Sequence, residues 1–373
     1  MIKRNVLIFI VVTLMLITSQ LQAEVLDSDD PWLAELLDQA LDQHEMPGLA
    51  AAILDKNGIV LTAVAGVRER GQPAQVTTSD RWHLGSCTKA MTAMLYADLV
   101  RQGKAEWGAT LPELFPTIDA MDPAWQTVTI EDLFSHRAGV GNLGISWFLA
   151  YNRDKRPLSE QRAATTQQLL RKPPRAEYGS FEYSNFGYII AGHAIEQITG
   201  VTWEQSLEEH LPGQLMERDG EFGYGPPQGE QPIGHRRLLF FGTGAVGQRV
   251  DKADNPPALG PAGTVHASLA GWAGFVRGFL DPELAALTKH LTTPPTPDAD
   301  YALGWGMYES DHFGQAIGHS GSNTFWVARV DVFPDAGLAV LLNINEGDKK
   351  ALEASQTIGN AIIEALAARV KQQ

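Results

Sequence analysis

The sequence contains a single cysteine, Cys87, among its 373 residues. One thiol cannot form a disulfide within the chain, so stability must come from a packed core rather than from cross-links. Basic residues are also scarce, because 29 lysines and arginines stand against 44 aspartates and glutamates and give a formal net charge of −15. An acidic surface of this kind argues against binding to nucleic acid or to anionic lipid.

Long apolar runs are missing as well. The run at residues 6–17 carries no charge, but it is short of the ~20 residues that a membrane-spanning helix needs. It follows Lys3 and Arg4 and precedes polar residues that end at Ala23. This layout predicts a secretory signal peptide over residues 1–23, and therefore an exported protein, periplasmic or secreted, with no stable membrane insertion after cleavage. A retained N-terminal anchor is the alternative.

Metal and dinucleotide sites find little support in the sequence. Ten histidines are present, yet His44-Glu45 is not continued as H-E-x-x-H and no other pair has zinc spacing. Residues 139–144 and 242–247 match G-x-G-x-x-G, but neither lies between a strand and a helix as a dinucleotide fold requires. We interpret both as loops, and we expect no metal and no cofactor.

Sheet-forming hairpins and one helix stand near each end of the chain. Residues 31–44 have helical spacing, and residues 49–55 and 59–67 form two strands about a tight turn. A second hairpin is predicted over residues 325–332 and 338–343, before a final helix. The section between is mostly helical. We therefore expect an α+β fold, in which an antiparallel sheet built from both ends is flanked by N- and C-terminal helices, with a mostly helical lobe beside it.

The first candidate motif is Ser86 with Lys89. Residues three apart share one face of a helix, and Lys89 is the sole charged residue between positions 86 and 97. Burial lowers the pKa of a lysine, and a neutral lysine beside a serine can activate it as a nucleophile. Free N–H groups at the helix start can also hold an oxyanion. A cap serine with a surface lysine is the alternative, because S-x-x-K is common by chance.

The second candidate motif is Tyr183 with Asn185. Two residues apart in an extended turn, their side chains project to the same side. A tyrosine near a lysine can relay a proton, and the asparagine can orient the lysine or hold a substrate amide. A packing tyrosine at a helix start is the alternative.

The third candidate motif is His319-Ser320-Gly321, at the start of the late strand region. Gly321 lets a substrate lie close to the backbone. Ser320 offers a hydroxyl, and the N–H of Ser322 is a candidate second donor to an oxyanion. An ordinary turn at a strand edge is the alternative.

Together and in this order, the motifs resemble the S-x-x-K, Y-x-N and K-T-G motifs of the serine β-lactamase and penicillin-binding-protein superfamily. Flanking segments at residues 132–139, 181–188, 261–263 and 303–306 are also similar to the family's. The similarity extends over about residues 30–370. It points to the class C β-lactamase-like branch, which also contains DD-peptidases, esterases and D-aminopeptidases.

The resemblance implies a β-lactamase/DD-peptidase-like fold and a serine hydrolase that works through an acyl-enzyme. Its substrate would be a small molecule or peptide with an ester, amide, D-amino-acid peptide or β-lactam carbonyl. Ser86 would be the nucleophile, Lys89 and Tyr183 would move the proton, and Asn185 would contact substrate. Which of Lys89 and Tyr183 is the base stays open. The N–H groups of Ser86 and Ser322 would form the oxyanion hole.

Two other functions remain as alternatives to a serine hydrolase. A catalytically silent penicillin-binding-type protein on the same fold would bind ligand without turnover, and a metallohydrolase would be sensitive to chelators. We expect residues 24–373 to form a single, monomeric β-lactamase-like catalytic domain. Its α/β part would comprise about residues 24–85 and 260–373, and its helical lobe about residues 86–259, with the site in the cleft between them.

Position 319 departs from the family's pattern. His319 stands where the family has lysine, and a histidine with its ordinary pKa is mostly neutral at pH 7. This weakens the case for a dedicated β-lactamase and suits esterases and peptidases, and we hypothesise that His319 tunes the pH profile.

Cys87 is an alternative nucleophile, but it points ~100° away from Ser86 on a helix. Its apolar neighbours predict a small buried side chain.

Overall fold

The computed structural model describes residues 30–211, 222–238, 242–245 and 254–371. The predicted signal peptide at residues 1–23 lies outside these ranges, so export and cleavage stay predictions. None of the helices within these ranges is long and apolar enough to cross a membrane.

The strands fall mainly in the first and last quarters of the chain. They are β1 (Gly48–Asp55), β2 (Gly58–Gly66), β3 (Arg81–His83), β4 (Phe222–Tyr224), β5 (His235–Leu238), β6 (Gly242–Ala245), β7 (Val265–Ser268), β8 (Gly306–Ser310), β9 (Gly314–Ser322), β10 (Val327–Phe333) and β11 (Leu338–Ile344). Within the described ranges, the main sheet has the order β2–β1–β11–β10–β9–β8. Smaller sheets join β3–β7–β4 and β5–β6.

The helices occupy the middle of the chain and both ends. They are α1 (Trp32–His44), α2 (Thr88–Arg101), α3 (Leu111–Leu114), α4 (Ile130–Phe134), α5 (Ile145–Tyr151), α6 (Leu158–Leu170), α7 (Asn185–Thr199), α8 (Trp203–His210), α9 (Gly260–Gly263), α10 (Leu269–Val276), α11 (Ala285–Leu291) and α12 (Lys349–Lys371). A 3-10 turn, Gly85–Cys87, leads directly into α2.

The two ends of the chain meet at the centre of the main sheet. Strand β1 pairs antiparallel with β11, from Leu49 opposite Ile344 to Leu54 opposite Ala339. The predicted α+β fold, with one antiparallel sheet built from both ends, is therefore confirmed. Strands β8 and β9 extend this sheet and were not predicted, because the glycine-rich sequence of β9 hides the alternation of a strand. His319 accordingly lies near the end of a strand rather than at the start of a strand region.

Strand β1 is buried along its whole length. Its alternate side chains enter two separate cores, which explains why the strand is continuously apolar. Leu49, Ala51 and Ile53 pack in the outer core with the terminal helices α1 and α12. Ala50 and Ala52 pack in the inner core, together with α2 and the helices around it.

Helix α2 crosses the inner core and is buried from Thr88 to Leu99. A helix that is apolar on every side must be surrounded by protein, as the sequence indicates. Its first turn carries Lys89, which is 0% exposed. The fold therefore takes an amine out of water at the start of a buried helix.

Turn and cap chemistry fixes several of the helix boundaries. Thr129 and Thr202 each form a capping box at the start of α4 and α8. Helix α7 ends at Gly200, whose φ of 77° is the left-handed conformation that glycine adopts easily. Residues 139–144 form a loop before α5, as predicted. The prediction of a loop over residues 242–247 was wrong at Gly242–Ala245, which forms a strand paired with β5 that sequence periodicity does not reveal. Residues 246–247 lie outside the described residues.

A buried ion pair joins α6, α7 and α8. Arg162 is 0% exposed, and its guanidinium donates to Glu196 at 2.7 Å and to Glu204 at 2.7 Å. Burial raises the pKa of Glu196, but its contacts with His193 and Arg162 outweigh burial and leave the pKa below its ordinary value. The three helices are thus held together by one cation shared between two carboxylates.

Replacing Arg162 with methionine should destabilise the fold strongly. Arg162→Met leaves two buried carboxylates without their cation, which should lower the free energy of unfolding by about 3–5 kcal/mol. Urea denaturation measures the change. Lys349→Met is the control, because Lys349 is 90% exposed in its pair with Glu353 and should give no measurable change. Equal stability of the two variants would contradict the prediction.

Candidate active site

Ser86 and Lys89 come together at the junction of the 3-10 turn and α2. The Nζ atom of Lys89 is 3.1 Å from the Oγ of Ser86. Because the 3-10 turn continues into the helix, positions three apart fall on one face. The turn also leaves the first N–H groups without partners inside the helix. One short segment therefore supplies a hydroxyl, an amine beside it and backbone donors.

Lys89 makes two further contacts, both with oxygens that can only accept. Its Nζ atom is 2.7 Å from the Asn185 Oδ1 at the start of α7 and 2.7 Å from the carbonyl oxygen of Ala262 in α9. Burial lowers the pKa of Lys89 to about 7. A neutral amine has two N–H groups and one lone pair. Since the two carbonyl oxygens take both N–H groups, the lone pair is left facing the Ser86 hydroxyl.

Tyr183 lies one residue before Ser184, the N-cap of α7. The Nζ atom of Lys89 is 4.9 Å from the centre of the Tyr183 ring. Burial raises the pKa of Tyr183, and a hydrogen bond with Ser86 offsets only part of this effect. The phenol is therefore neutral near pH 7, and its hydroxyl can both accept and donate a proton beside Ser86.

The ring of His136 packs against the ring of Tyr183. The two ring centres are 4.3 Å apart, and the Nδ1 of His136 accepts from the backbone N–H of Ser184 at 3.1 Å. Burial, Lys89 and His319 lower the pKa of His136 well below its ordinary value, so the ring is neutral. His136 thus fixes the segment that carries Tyr183. In the sequence, His136 is marked only by its position in the family-like segment 132–139.

His319 is held in one tautomer by two partners. Its Nδ1 is 2.8 Å from the carbonyl oxygen of Ser320, so Nδ1 carries the proton. Its Nε2 then accepts from the hydroxyl of Tyr301 at 3.0 Å. Burial and the charge of Lys89 lower the pKa of His319 to about 3. Tyr301 was missed in the sequence, where it lies just before the family-like segment 303–306 without a motif of its own.

The end of β9 packs backbone to backbone against the 3-10 turn. A Cβ atom on Gly321 would lie 2.7 Å from the nitrogen of Ser86, and a Cβ on Gly85 would lie 2.5 Å from the nitrogen of Ser322. Contacts this short exclude any side chain at either position. The two glycines therefore let the backbone segments that carry Ser86 and Ser322 pack closely against each other. That both amides donate to one oxygen stays a prediction.

Ser320 and Cys87 lie apart from this group. The Oγ of Ser320 is 3.4 Å from the Nε2 of Gln356, an exposed residue of α12, so this hydroxyl is directed toward α12 rather than toward Ser86. A substrate role for Ser320 stays a prediction. Cys87 is 2% exposed, and burial raises the pKa of its thiol. Cys87 is therefore a buried, protonated side chain and a poor nucleophile.

The described residues also bear on the metal hypothesis. Within the ranges that the structure describes, no three histidine, cysteine, aspartate or glutamate side chains are grouped so that they could hold a metal ion. The site around Ser86 is instead built from hydroxyls, an amine and neutral imidazoles.

The reactivity of Ser86 should follow the protonation of Lys89. Because the pKa of Lys89 is about 7, the amine is charged below that pH and cannot accept the Ser86 proton. The rate of Ser86 modification by a fluorophosphonate should rise about tenfold per pH unit below about pH 7 and then level off. Intact-mass kinetics across pH measure this rate, and a flat profile would contradict the assignment.

A variant at His319 also tests whether the pH profile reports the pKa of Lys89. His319→Lys places a second ammonium beside Lys89, which should lower the pKa of Lys89 further and move the rising limb to lower pH. An unchanged profile between about pH 5.5 and 8 would count against any influence of position 319. Lys89→Met is the reference, and should abolish the limb.

The profile of the Beta-lactamase family matches residues 33–361. "Unguisins hydrolase ungD'" of Aspergillus campestris is 25% identical over 353 residues, which cover 86% of this chain but only 62% of that protein's length. "Penicillin-binding protein 4" of Amycolatopsis lactamdurans is 25% identical over 335 residues, which cover 84% of each.

Solved structures show the same fold. The octameric penicillin-binding protein homologue from Pyrococcus abyssi superposes with a TM-score of 0.71 at 19% identity, over 90% of this chain and 77% of that one. At this identity the superposition shows the fold alone, and it agrees with the fold that the three motifs implied. Because the family profile covers most of the residues, the chain belongs to the Beta-lactamase family.

Proposed function

We propose that this protein is a serine hydrolase that forms an acyl-enzyme on Ser86, acting on esters or amides that lack a carboxylate near the scissile bond. The observation that carries the proposal is the contact of 3.1 Å between Lys89 Nζ and Ser86 Oγ. Two carbonyl oxygens hold the N–H groups of the neutral amine, so its lone pair is aimed at the hydroxyl that it must deprotonate.

Acylation begins when Ser86 Oγ attacks the substrate carbonyl carbon. The hydroxyl proton passes to Lys89 Nζ, and the carbonyl oxygen becomes an oxyanion held by the amides of Ser86 and Ser322. Collapse of this intermediate breaks the bond to the leaving group, which receives the proton from Lys89 through the Tyr183 hydroxyl. Water then attacks the acyl carbonyl carbon and gives a proton to Lys89 Nζ. Collapse of the second intermediate breaks the bond to Ser86 Oγ, which takes this proton back from Lys89, and the acid is released.

The proton acceptor in this scheme is Lys89 rather than Tyr183. A general base works best when its pKa lies near the working pH. The pKa of Lys89 is lowered to about 7, whereas burial raises the pKa of Tyr183 above its ordinary value. Tyr183 therefore serves as a neutral relay in the proposed scheme, and the two environments favour Lys89 as the base.

The charge of the site supports a substrate without a carboxylate. Lys89 is occupied by three contacts, and both ring nitrogens of His319 are bonded while the ring is neutral. Among the described residues in contact with Ser86, none offers a free cation. Phe181 is 44% exposed, and its ring lies 5.6 Å from that of Tyr301. This aromatic edge favours an apolar acyl or leaving group.

Ser86→Ala should reduce the turnover of simple nitrophenyl esters by at least about 1000-fold, because the covalent step loses its nucleophile. Spectrophotometric rates and the intact mass of the trapped acyl-enzyme measure the effect. Cys87→Ala is the matched control and should keep its turnover, since the neighbouring thiol is buried. Unchanged activity of Ser86→Ala on every acyl substrate tried would refute the serine mechanism.

Benzylpenicillin tests the substrate class on the same protein. We expect no penicilloyl mass increase on wild type, because the described site residues offer no free cation for its carboxylate. A penicilloyl adduct that is absent from Ser86→Ala would refute the carboxylate-free substrate class while it supports Ser86 as the nucleophile. Ester or penicillin binding without turnover would favour the silent penicillin-binding-type alternative.

A further inference from the structure

The two amides proposed to hold the oxyanion belong to chain segments that are far apart in sequence. Ser86 lies in the 3-10 turn before α2, and Ser322 is the last residue of β9. Their mutual position must be exact, because a misplacement of 1 Å at a reacting centre can cost about 100-fold in rate. The glycine contact brings the segments close, but it does not by itself prevent one from sliding along the other.

His83 fixes the segment before Ser86. Its Nδ1 accepts from the backbone N–H of Gly85 at 3.1 Å, and an N–H can only donate. The proton of the neutral ring is therefore on Nε2, which lies 3.0 Å from the Oδ2 of Asp254. The His83 side chain is 0% exposed and stacks on Trp326 at 5.8 Å. The ring thus has one orientation, set on one side by Asp254.

Asn323 fixes the segment after Ser322. Its Oδ1 accepts from the backbone N–H groups of Phe325 and Trp326, each at 3.1 Å, and this shapes the turn that leaves β9. Its Nδ2 donates to the Oδ1 of Asp254 at 3.0 Å. Asn323 is 3% exposed. The turn and Asp254 are therefore connected through a buried amide.

We propose that Asp254 is a positioning residue that sets the oxyanion hole, because each of its two carboxylate oxygens holds the segment of one donor amide. Oδ2 accepts from His83, which in turn accepts from the backbone N–H of Gly85 next to Ser86. Oδ1 accepts from Asn323, the residue that follows Ser322. The inference rests on the proposed function for its catalytic meaning, but the bridge itself is a matter of geometry. It assigns a role to a loop residue outside the three motifs.

The chemistry of the bridge requires a carboxylate. Both His83 Nε2–H and Asn323 Nδ2–H are donors, so residue 254 must accept twice. An asparagine has one accepting oxygen and one N–H₂ group, and the N–H₂ group would face a donor. Asp254→Asn is therefore expected to break one arm of the bridge although it preserves size and shape.

Asp254→Asn and Asp254→Ala should lower kcat for a nitrophenyl ester by about 10- to 100-fold with little change in KM. The rising limb of the pH profile, which reports Lys89, should stay in place. In the acyl-enzyme, the carbonyl stretching frequency should move to a higher wavenumber, since weaker hydrogen bonds polarise the carbonyl less. Asp281→Asn is the control and should leave all three readouts unchanged.

A measurement that does not depend on turnover separates this proposal from the proposed function. The backbone amide resonances of Ser86 and Ser322 should both shift in the two Asp254 variants and stay in place in Asp281→Asn. Unshifted amides, or a kcat within about twofold of wild type, would overturn the role of Asp254. Shifted amides in the Asp254 variants, combined with a wild-type protein that never acylates Ser86, would uphold the bridge and refute the hydrolase.

Discussion

The buried amine of Lys89 is the interaction on which the site depends. Removing an ammonium from water is costly, and the fold meets this cost by lowering the pKa and by supplying oxygen acceptors from α7 and α9. Asn185 and Ala262 are 96 and 173 residues from Lys89 in the sequence. The amine can therefore be satisfied only when α2, α7 and α9 are all in place.

The aromatic and imidazole side chains around the amine extend the same constraint. Because burial and, to a lesser extent, the charge of Lys89 lower the pKa of His136 and of His319, both rings are neutral. Neutral rings are then free to accept: His136 accepts from a backbone N–H, and His319 accepts from Tyr301. Burial together with the charge of Lys89 thus sets the protonation, and hence the hydrogen-bond direction, of these two rings.

The site residues that are close together in the sequence could be predicted, whereas those that are far apart in the sequence could not. Ser86 and Lys89 could be predicted together because three residues on a helix fix their spacing. The sheet that unites the ends could be predicted from two hairpins with clear turns. Ala262 could not be given its role, because it contributes a backbone oxygen that any residue has. Asp254 left no pattern, since its two contacts are made across 171 and 69 residues of chain.

The pairing of β1 with β11 also governs the order of assembly. Leu49 and Ile344 meet at the centre of the sheet although nearly the whole chain separates them, a topology of high contact order. Loop closure on this scale cannot occur until the last strand has been synthesised. Until then, β1 has an open apolar edge of the kind that recruits other chains. A chain that stops before β11 is therefore an aggregation-prone fragment rather than a smaller version of the fold.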